Sequence, residues 1–317
     1  MPLPNAPTTY TPQFITRIDI AENLAGQSIL KAFEFRPYFK ANYLRVIEIF
    51  GHELSFLETK PDKVQAEAKT IFFIHGNSMS VRAFDMQFSE LADRYRLIGI
   101  NLPGHQDSEC LNAGDYTLPH LAQILARFIE KLNLEKVILV GWSLGASVIH
   151  QMIALTESSK INEKILGIVN IDQPPLARPM DMTAVKPNEN LPLFFSGKLD
   201  SEQVKKLVQL CFSPETCPPS SAEQIVNDCD QEFRSAIFNS IVNADYKDET
   251  IILQNLDMPY LLVSGTDSQI TNVDYLKSHA PKNLWGNNVH QLLGGHSVHY
   301  ENSTTFNELL VSFVDGL

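Results

Sequence analysis

The fold of this chain is decided by residues 137–155, which read VILVGWSLGASVIHQMIAL. The short apolar run Val137–Val140 is typical of a strand buried on both faces of a sheet. The segment Leu144–Leu155 follows almost at once and has the length and composition of a helix. Residues 141–145, with the pattern G-x-S-x-G, must therefore make a tight turn from strand to helix.

This turn presents a serine to whatever binds at the edge of the sheet. A strained turn lifts Ser143 Oγ to the C-terminal edge, where open sheets with parallel strands bind ligands. Gly141 and Gly145 lack a Cβ atom, so that strand and helix can approach closely. The helix N-terminus adds free N–H groups and the positive end of its dipole. The pattern predicts Ser143 as a nucleophile, with the Leu144 N–H as one donor of an oxyanion hole.

Outward from this turn, buried strands alternate with helical segments, which predicts a parallel sheet with right-handed crossovers. Upstream, Leu44–Phe50 and Leu54–Glu58 with Gly51-His52 between them indicate a hairpin. The predicted strands are Ile71–Ile74, Leu97–Ile100, Val137–Val140, Ile165–Ile171, Tyr260–Val263 and Val289–Leu293, and the helices include 80–94, 118–132, 144–155 and 303–314.

The alternation stops at Pro174-Pro175 and resumes about eighty residues later, far beyond an ordinary loop length. We predict an N-terminal extension at residues 1–42, a core at 43–172 and 259–317, and a helical lid at 173–258. Helices are expected at Ser201–Cys211 and Ala222–Val242. The lid is expected to supply an apolar pocket, with lining residues such as Phe194, Phe195, Leu207 and Phe212.

Composition excludes several classes of protein. The 317 residues are 44% hydrophobic and 20% charged, which argues against extended disorder. The net charge of −12 argues against a nucleic-acid partner. No apolar run approaches the roughly 20 residues of a membrane span, and the N-terminus lacks the pattern of a secretory signal. The four cysteines have no CxxC spacing, so we expect reduced thiols and a cytoplasmic location.

No motif indicates a metal or a nucleotide cofactor, since HExxH, GxGxxG after the first strand and GxxxxGK[ST] are all absent from the sequence. We therefore expect no metal and no cofactor.

Two further motifs complete a candidate active site. His75-Gly76-Asn77 follows a buried strand, and the Asn77 N–H is the natural second donor of an oxyanion hole, with His75 fixing the loop. Gly294-Gly295-His296 precedes the closing helix, and a serine nucleophile needs a base that takes its proton. We prefer His296 as that base to the nearby His299 because the two glycines free its loop.

These blocks resemble the α/β-hydrolase superfamily. More narrowly, HGNS, YRLIGINLPGH, VGWSLGA, SGTDSQITNVDY and GGHSVHYEN look like the α/β-hydrolase type of N-acyl-homoserine lactone lactonases, from about Tyr43 to the C-terminus. The resemblance implies a mostly parallel sheet with helices on both faces and a lid before the penultimate strand. It implies Ser143 as nucleophile, His296 as base, and the Asn77 and Leu144 amides as the oxyanion hole.

The chain departs from this family in its acidic residue. The family places Asp or Glu three residues after the glycine that ends the penultimate strand, and counting from Gly265 gives Ser268. Asp267 lies one residue early. The other candidate is Asp172, after strand Ile165–Ile171, a position that resembles the acid of certain lipases and cofactor-free dioxygenases. We favour Asp172 and keep Asp267 as the alternative.

The sequence thus predicts a cofactor-independent hydrolase of esters or lactones that forms an acyl-enzyme. Its partner would be a small molecule with an apolar acyl part, and an acyl-homoserine lactone is a guess at family level. One alternative is a non-hydrolytic binding protein on the same fold, because the acid is displaced. Another is a cofactor-free dioxygenase that uses His296 and Asp172. Asp230 and Arg234, four apart on a predicted lid helix, are interpreted as a surface ion pair.

Overall fold

A computed structural model describes residues 44–59, 69–157 and 159–317. The predicted N-terminal extension, residues 1–42, lies outside this part of the chain. The described residues form one eight-stranded sheet. Its strands are β1 Leu44–Ile49, β2 His52–Thr59, β3 Thr70–Ile74, β4 Arg96–Ile100, β5 Val137–Trp142, β6 Ile165–Ile171, β7 Tyr260–Gly265 and β8 His290–Leu292.

The sheet runs in the order β1-β2-β4-β3-β5-β6-β7-β8. Strand β2 is antiparallel to β1 and to β4, and all pairs from β4 to β8 are parallel. The predicted hairpin is present, but its turn is Phe50-Gly51 rather than Gly51-His52. Both turn residues have positive φ, 52° and 85°, which a two-residue turn with the twist of its strands requires.

The helices are α1 Asp85–Leu91, α2 Leu118–Lys131, α3 Leu144–Leu155, α4 Ser201–Leu210, α5 Ala222–Asn227, α6 Phe233–Val242, α7 Glu249–Gln254, α8 Val273–Ser278, α9 Val298–Glu301 and α10 Ser303–Asp315. They cover both faces of the sheet because side chains alternate along each buried strand. Phe72 and Ile74 of β3 pack with α2 and α3, whereas Ile71 and Phe73 pack with α1, α4 and α10. The predicted architecture is confirmed.

The residues between β6 and β7 differ from the prediction in one instructive place. The expected helix Ala222–Val242 is two helices, α5 and α6, with a break at residues 228–232. The break follows from Asp230, whose N–H donates to Gly104 O and whose carboxylate accepts the Glu232 N–H. Short acidic side chains that bind nearby N–H groups favour turns and helix starts over helix interiors.

Candidate active site

Ser143 occupies the turn between β5 and α3 in a conformation that costs energy. Its φ is 52° and its ψ is −127°, a region that costs a non-glycine residue on the order of 1–3 kcal/mol. The turn is held because Ser143 N–H donates to Ile171 O at 3.0 Å and Ala146 N–H donates to Ser143 O at 2.8 Å. As a result the Ser143 side chain is half-buried at the C-terminal edge of the sheet.

The two glycines of the turn are required by backbone contacts. A Cβ atom at Gly141 would lie 2.5 Å from Ala146 N, and one at Gly145 would lie 2.2 Å from Ile74 O. Backbone atoms at these distances cannot move aside without shifting a strand or a helix. The G-x-S-x-G pattern is therefore a steric condition for this turn.

His296 lies on the loop before α9 and is directed at a carboxylate. Its Nδ1 is 2.7 Å from Asp172 Oδ2, and its side chain is almost completely buried. Two contacts hold the loop: Trp142 Nε1 donates to His296 O at 2.9 Å, and Glu301 Oε1 accepts the Gly295 N–H at 2.7 Å. A carboxylate in this position orients an imidazole and stabilises its protonated form.

Asp172 follows β6 with a φ of 53° and is fully buried. Besides His296, its carboxylate accepts hydrogen bonds from Ser264 Oγ, from the Gly265 N–H at 3.3 Å and from Ser268 Oγ at 2.6 Å. These donors offset the cost of removing a carboxylate from water. The structure brings Asp172 together with His296.

The alternative acid, Asp267, is placed differently. Its side chain is exposed, and its backbone N–H donates to Gly294 O at 2.9 Å. Within the described residues its carboxylate makes no hydrogen bond to His296. Ser268, the position at which the family resemblance implies an acid, instead donates to Asp172. Sequence reasoning missed Ser264 and Ser268 as donors, although Ser268 at the family's acid position was an available signal.

The loop of His296 lies next to the turn of Ser143, since Trp142, the residue before Ser143, donates from Nε1 to His296 O. In the described part of the chain no hydrogen bond joins Ser143 Oγ to His296 Nε2. Such bonds between nucleophile and base are often long in unliganded enzymes and tighten only when substrate binds.

The predicted oxyanion donors lie beside Ser143. Asn77 and Leu144 line the same cavity as Ser143. Leu144 is the first residue of α3, and so its N–H has no acceptor within the helix. The Asn77 N–H likewise donates to no described residue. The Asn77 side chain is engaged elsewhere, since its Nδ2 donates to Phe194 O at 2.8 Å and its Oδ1 accepts from Ser78 Oγ at 2.9 Å.

The neighbouring histidines are structural. His75 Nε2 accepts the Leu102 N–H at 3.0 Å, and its Nδ1 donates to Gly76 O at 2.8 Å. Burial, together with the nearby His105, holds the pKa of His75 well below its usual value. A neutral ring that fixes this loop agrees with the sequence interpretation.

His299, the rival base, makes no hydrogen bond to Asp172 in the described residues. It is fully buried, and neither ring nitrogen has a hydrogen-bond partner in the described residues. Its ring packs against Phe84 and Trp142, with centroids 5.0 and 4.9 Å away. Burial, with a smaller effect of the neighbouring His296, lowers the pKa of His299 to about 3.

Arg234 corrects the sequence interpretation. Rather than forming a surface ion pair with Asp230, it is 2% exposed. Its guanidinium donates to Ser196 O at 2.7 Å, to Gly197 O and to Ser78 Oγ at 3.1 Å. Asp230 instead accepts the Tyr116 hydroxyl at 2.6 Å. The interpretation failed because the break at 228–232 removes the helical spacing that it assumed.

A cavity of about 950 Å³ opens at Ser143. Its lining is mostly apolar and comes mainly from residues between β6 and β7. Of the predicted lining residues, Phe194 and Phe195 are present, but Leu207 and Phe212 are not. Leu207 lies on the buried face of α4, and Phe212 packs against Tyr300 with 6.0 Å between ring centroids.

Two kinds of feature are absent from residues 44–59, 69–157 and 159–317. No cluster of three or more His, Cys, Asp or Glu side chains that could hold a metal ion is found there. None of the helices in these ranges is both long and apolar enough to cross a membrane.

Comparisons with known proteins identify the fold family. A family model described as alpha/beta hydrolase fold matches residues 69–303. A putative esterase/lipase 2 of Mycoplasma genitalium is 24% identical over 278 residues, covering 83% of this chain and 94% of that protein. A dihydrolipoyllysine-residue acetyltransferase component of an acetoin cleaving system, from Cupriavidus necator, is 35% identical over 85 residues, but these span only 27% of this chain and 22% of that protein.

Among solved structures, a mutant of the N-acyl homoserine lactonase AidH complexed with N-hexanoyl homoserine lactone superposes with a TM-score of 0.78. It is 22% identical and covers 86% of this chain and 97% of its own. At that identity the likeness concerns the fold.

Proposed function

The chain belongs to the α/β-hydrolase fold family, and from this premise we propose that it is a serine hydrolase that cleaves carboxylic esters or lactones. Esterases among its relatives support the coarse part of this proposal, an enzyme that acts on ester bonds. The observation that carries the finer part is the 2.7 Å contact between His296 Nδ1 and Asp172 Oδ2, at the sheet edge where the strained Ser143 faces a large cavity.

In the proposed mechanism Ser143 Oγ attacks the carbonyl carbon while His296 Nε2 takes its proton. Asp172 keeps the imidazole in the required tautomer and stabilises its protonated form. The N–H groups of Asn77 and Leu144 donate to the oxygen as it becomes negative. When the intermediate collapses, His296 returns the proton to the leaving oxygen, and for a lactone the new hydroxyl stays in the acyl part.

Water then completes the cycle. His296 removes a proton from a water molecule, whose oxygen attacks the acyl-enzyme carbonyl. The second intermediate releases the carboxylic acid and returns the proton to Ser143. With water as the second substrate, these steps balance.

The cavity supports a substrate with an apolar acyl part. Its wall includes Leu176, Leu191, Phe194, Ile237 and Ile241, side chains that favour burial of hydrocarbon. We propose that residues 173–258 act as a lid that forms this wall. An acyl-homoserine lactone is one candidate substrate, since AidH is such a lactonase.

Nitrophenyl esters with acyl chains from acetyl to dodecanoyl, together with matched lactones, test the proposal. We expect kcat/KM to rise with chain length until the cavity is filled. Ser143→Ala should lower kcat by roughly 10⁴-fold or more, and a fluorophosphonate should label the unaltered protein but not this variant. Full turnover by Ser143→Ala would overturn the proposal.

Two alternatives remain as outcomes of these experiments. A binding protein without hydrolytic activity would fold and bind acyl compounds but resist labelling. The His296–Asp172 contact argues against this alternative, which the displaced acid motivates. A cofactor-free dioxygenase would use the same pair of residues. It would consume oxygen with a quinolone-type substrate, which we expect not to occur.

A further inference from the structure

Arg234 is a buried cation whose hydrogen-bond partners are all uncharged. Its guanidinium donates to the carbonyl oxygens of Ser196 and Gly197 and to Ser78 Oγ. Arginine is almost never this buried unless a carboxylate is paired with it. Within the described residues no carboxylate oxygen lies within 4.0 Å of this guanidinium. Asp230, four residues earlier, acts on Arg234 only through space, and its carboxylate binds Tyr116 and the Glu232 N–H.

The contact with Ser78 leads from Arg234 toward the predicted oxyanion hole. Arg234 Nη1 donates to Ser78 Oγ at 3.1 Å, and Ser78 Oγ donates in turn to Asn77 Oδ1 at 2.9 Å. Ser78 is fully buried with a φ of 59°, a conformation that a non-glycine residue holds only when its surroundings fix it. The donors and acceptors are thus ordered in one direction from the guanidinium to the Asn77 side chain.

The other contacts lead to the cavity wall. Asn77 Nδ2 donates to Phe194 O at 2.8 Å, and Arg234 binds the carbonyls two and three residues later, at Ser196 and Gly197. Phe194, Ser196 and Asn77 all line the cavity at Ser143. One cation therefore holds two parts of the site together: the loop that carries the Asn77 N–H and the adjacent segment 194–197 of the cavity wall.

We propose that Arg234 is a positioning residue of the oxyanion hole, which acts through Ser78 to fix the Asn77 N–H and leaves a positive charge close to the developing oxyanion. This inference rests on the proposed function. An ester substrate is neutral where it reacts, whereas the tetrahedral intermediate is negative. A cation with no carboxylate within ion-pair distance, in a site of low dielectric constant, therefore stabilises the intermediate more than the substrate.

The test measures the effect of Arg234 on the bound ester and on the tetrahedral intermediate separately. Steady-state kinetics with 4-nitrophenyl butyrate give kcat and KM, and inhibition by butylboronic acid reports the affinity for a tetrahedral, negatively charged adduct. We expect Arg234→Gln to lower kcat about 100-fold, and Arg234→Lys and Ser78→Ala about 10-fold each. The KM should stay within a factor of two, while the boronate inhibition constant rises by the same factor as kcat falls.

The matched control is Arg127→Gln, which removes the same charge from an exposed residue paired with Glu130 at 3.0 Å and should change nothing. Circular dichroism identifies variants that do not fold. If Arg234→Gln does not fold, the kinetics and boronate inhibition of Arg234→Lys and Ser78→Ala test the inference. The inference is wrong if these two fold and keep kcat and boronate affinity within a factor of two. It is also wrong if KM rises while kcat is unchanged, because that pattern indicates a role in substrate binding only.

Ser143→Ala, assayed in parallel, distinguishes a failure of the oxyanion role of Arg234 from a failure of the proposed function. If it is inactive while the Arg234 and Ser78 variants behave as wild type, only the oxyanion role fails. If it keeps full turnover, the proposed function fails and this inference with it.

Discussion

The turn at Ser143 and the hydrogen-bonded cluster around Asp172 lie at the same edge of the sheet but are built in different ways. The turn is local: its φ of 52° and its two glycines belong to five consecutive residues. The Asp172 cluster joins three separate parts of the chain. Asp172 follows β6, its donors Ser264 and Ser268 lie at and just after the end of β7, and its donor His296 precedes α9.

This difference teaches where each region is vulnerable. A local turn depends on sterics, so a single added atom damages it while the rest of the site stays intact. A distributed cluster depends on the sheet that aligns β6 with β7, and so it tolerates the loss of one donor better than the loss of its central carboxylate. Three substitutions test this contrast, and a fourth concerns His299, whose ring packs against Trp142 of the turn.

Removing the charge of Asp172 should have the largest effect. We expect Asp172→Asn to lower kcat on a reactive ester by about 10⁴-fold, because the amide leaves His296 in the wrong tautomer. Asp267→Asn is the matched control, since that side chain is exposed, and it should stay within a factor of two. A large loss in Asp267→Asn alone would reassign the acid.

Crowding the turn should cost stability. In Gly145→Ala the new Cβ atom would lie 2.2 Å from Ile74 O, and we expect the free energy of unfolding in urea to fall by about 3 kcal/mol. Gly114→Ala is the control, because a Cβ atom there meets nothing within 4 Å. Equal stability of the two variants would mean that the close approach of strand and helix at the turn is not required.

Removing one donor from the cluster should be milder. Ser268→Ala leaves Asp172 with Ser264, Gly265 and His296, so we expect kcat/KM to fall about 10-fold, in keeping with about 1.4 kcal/mol for one hydrogen bond to a charged group. Ser278→Ala, on the distant α8, is the control. A loss as large as that of Asp172→Asn would show that the cluster has no redundancy.

The smallest effect concerns pH. His299 has a pKa of about 3 in the fold because it is buried, against about 6.5 when unfolded. Below pH 6.5 the imidazole of His299 therefore binds a proton in the unfolded chain but not in the folded chain. The contribution of His299 to the free energy of unfolding is fully present above pH 6.5 and is lost progressively as the pH falls toward 3.

His299→Phe removes this dependence. We expect the loss of unfolding free energy between pH 7.5 and pH 5.5 to be smaller in the variant by about 1 kcal/mol. Ile124→Val, a buried substitution on α2 that removes no titratable group, is the comparison and should leave the loss nearly unchanged. An identical pH dependence of His299→Phe and wild type would mean that His299 is protonated in the fold.

The same contrast explains what the sequence could and could not predict. Strands and helices next to Ser143 were predicted closely, and β6 and α3 to the residue, because apolar runs and turn residues are contiguous signals. Asp172 was favoured but not fixed, since its donors come from β7 and beyond and a linear pattern does not show which loops meet.

Errors arose where tertiary contacts override local periodicity. The spacing of 222–242 suits one helix, yet Asp230 ends it by binding Gly104 O and Tyr116. That break buries Arg234, which spacing alone had assigned to the surface. Leu207 and Phe212 are apolar and lie in the right segment, but no local signal shows whether such side chains face the core or the cavity.

The cavity and the polar cluster share few residues, and this has a consequence for how the protein can change. Most of the cavity wall comes from the segment between β6 and β7, whereas Asp172, Ser264, Ser268 and His296 do not line it. Substitutions in the wall can therefore widen, shorten or reshape the chamber while the chemical groups keep their geometry. Laboratory selection for new acyl chains should thus collect its changes in that segment.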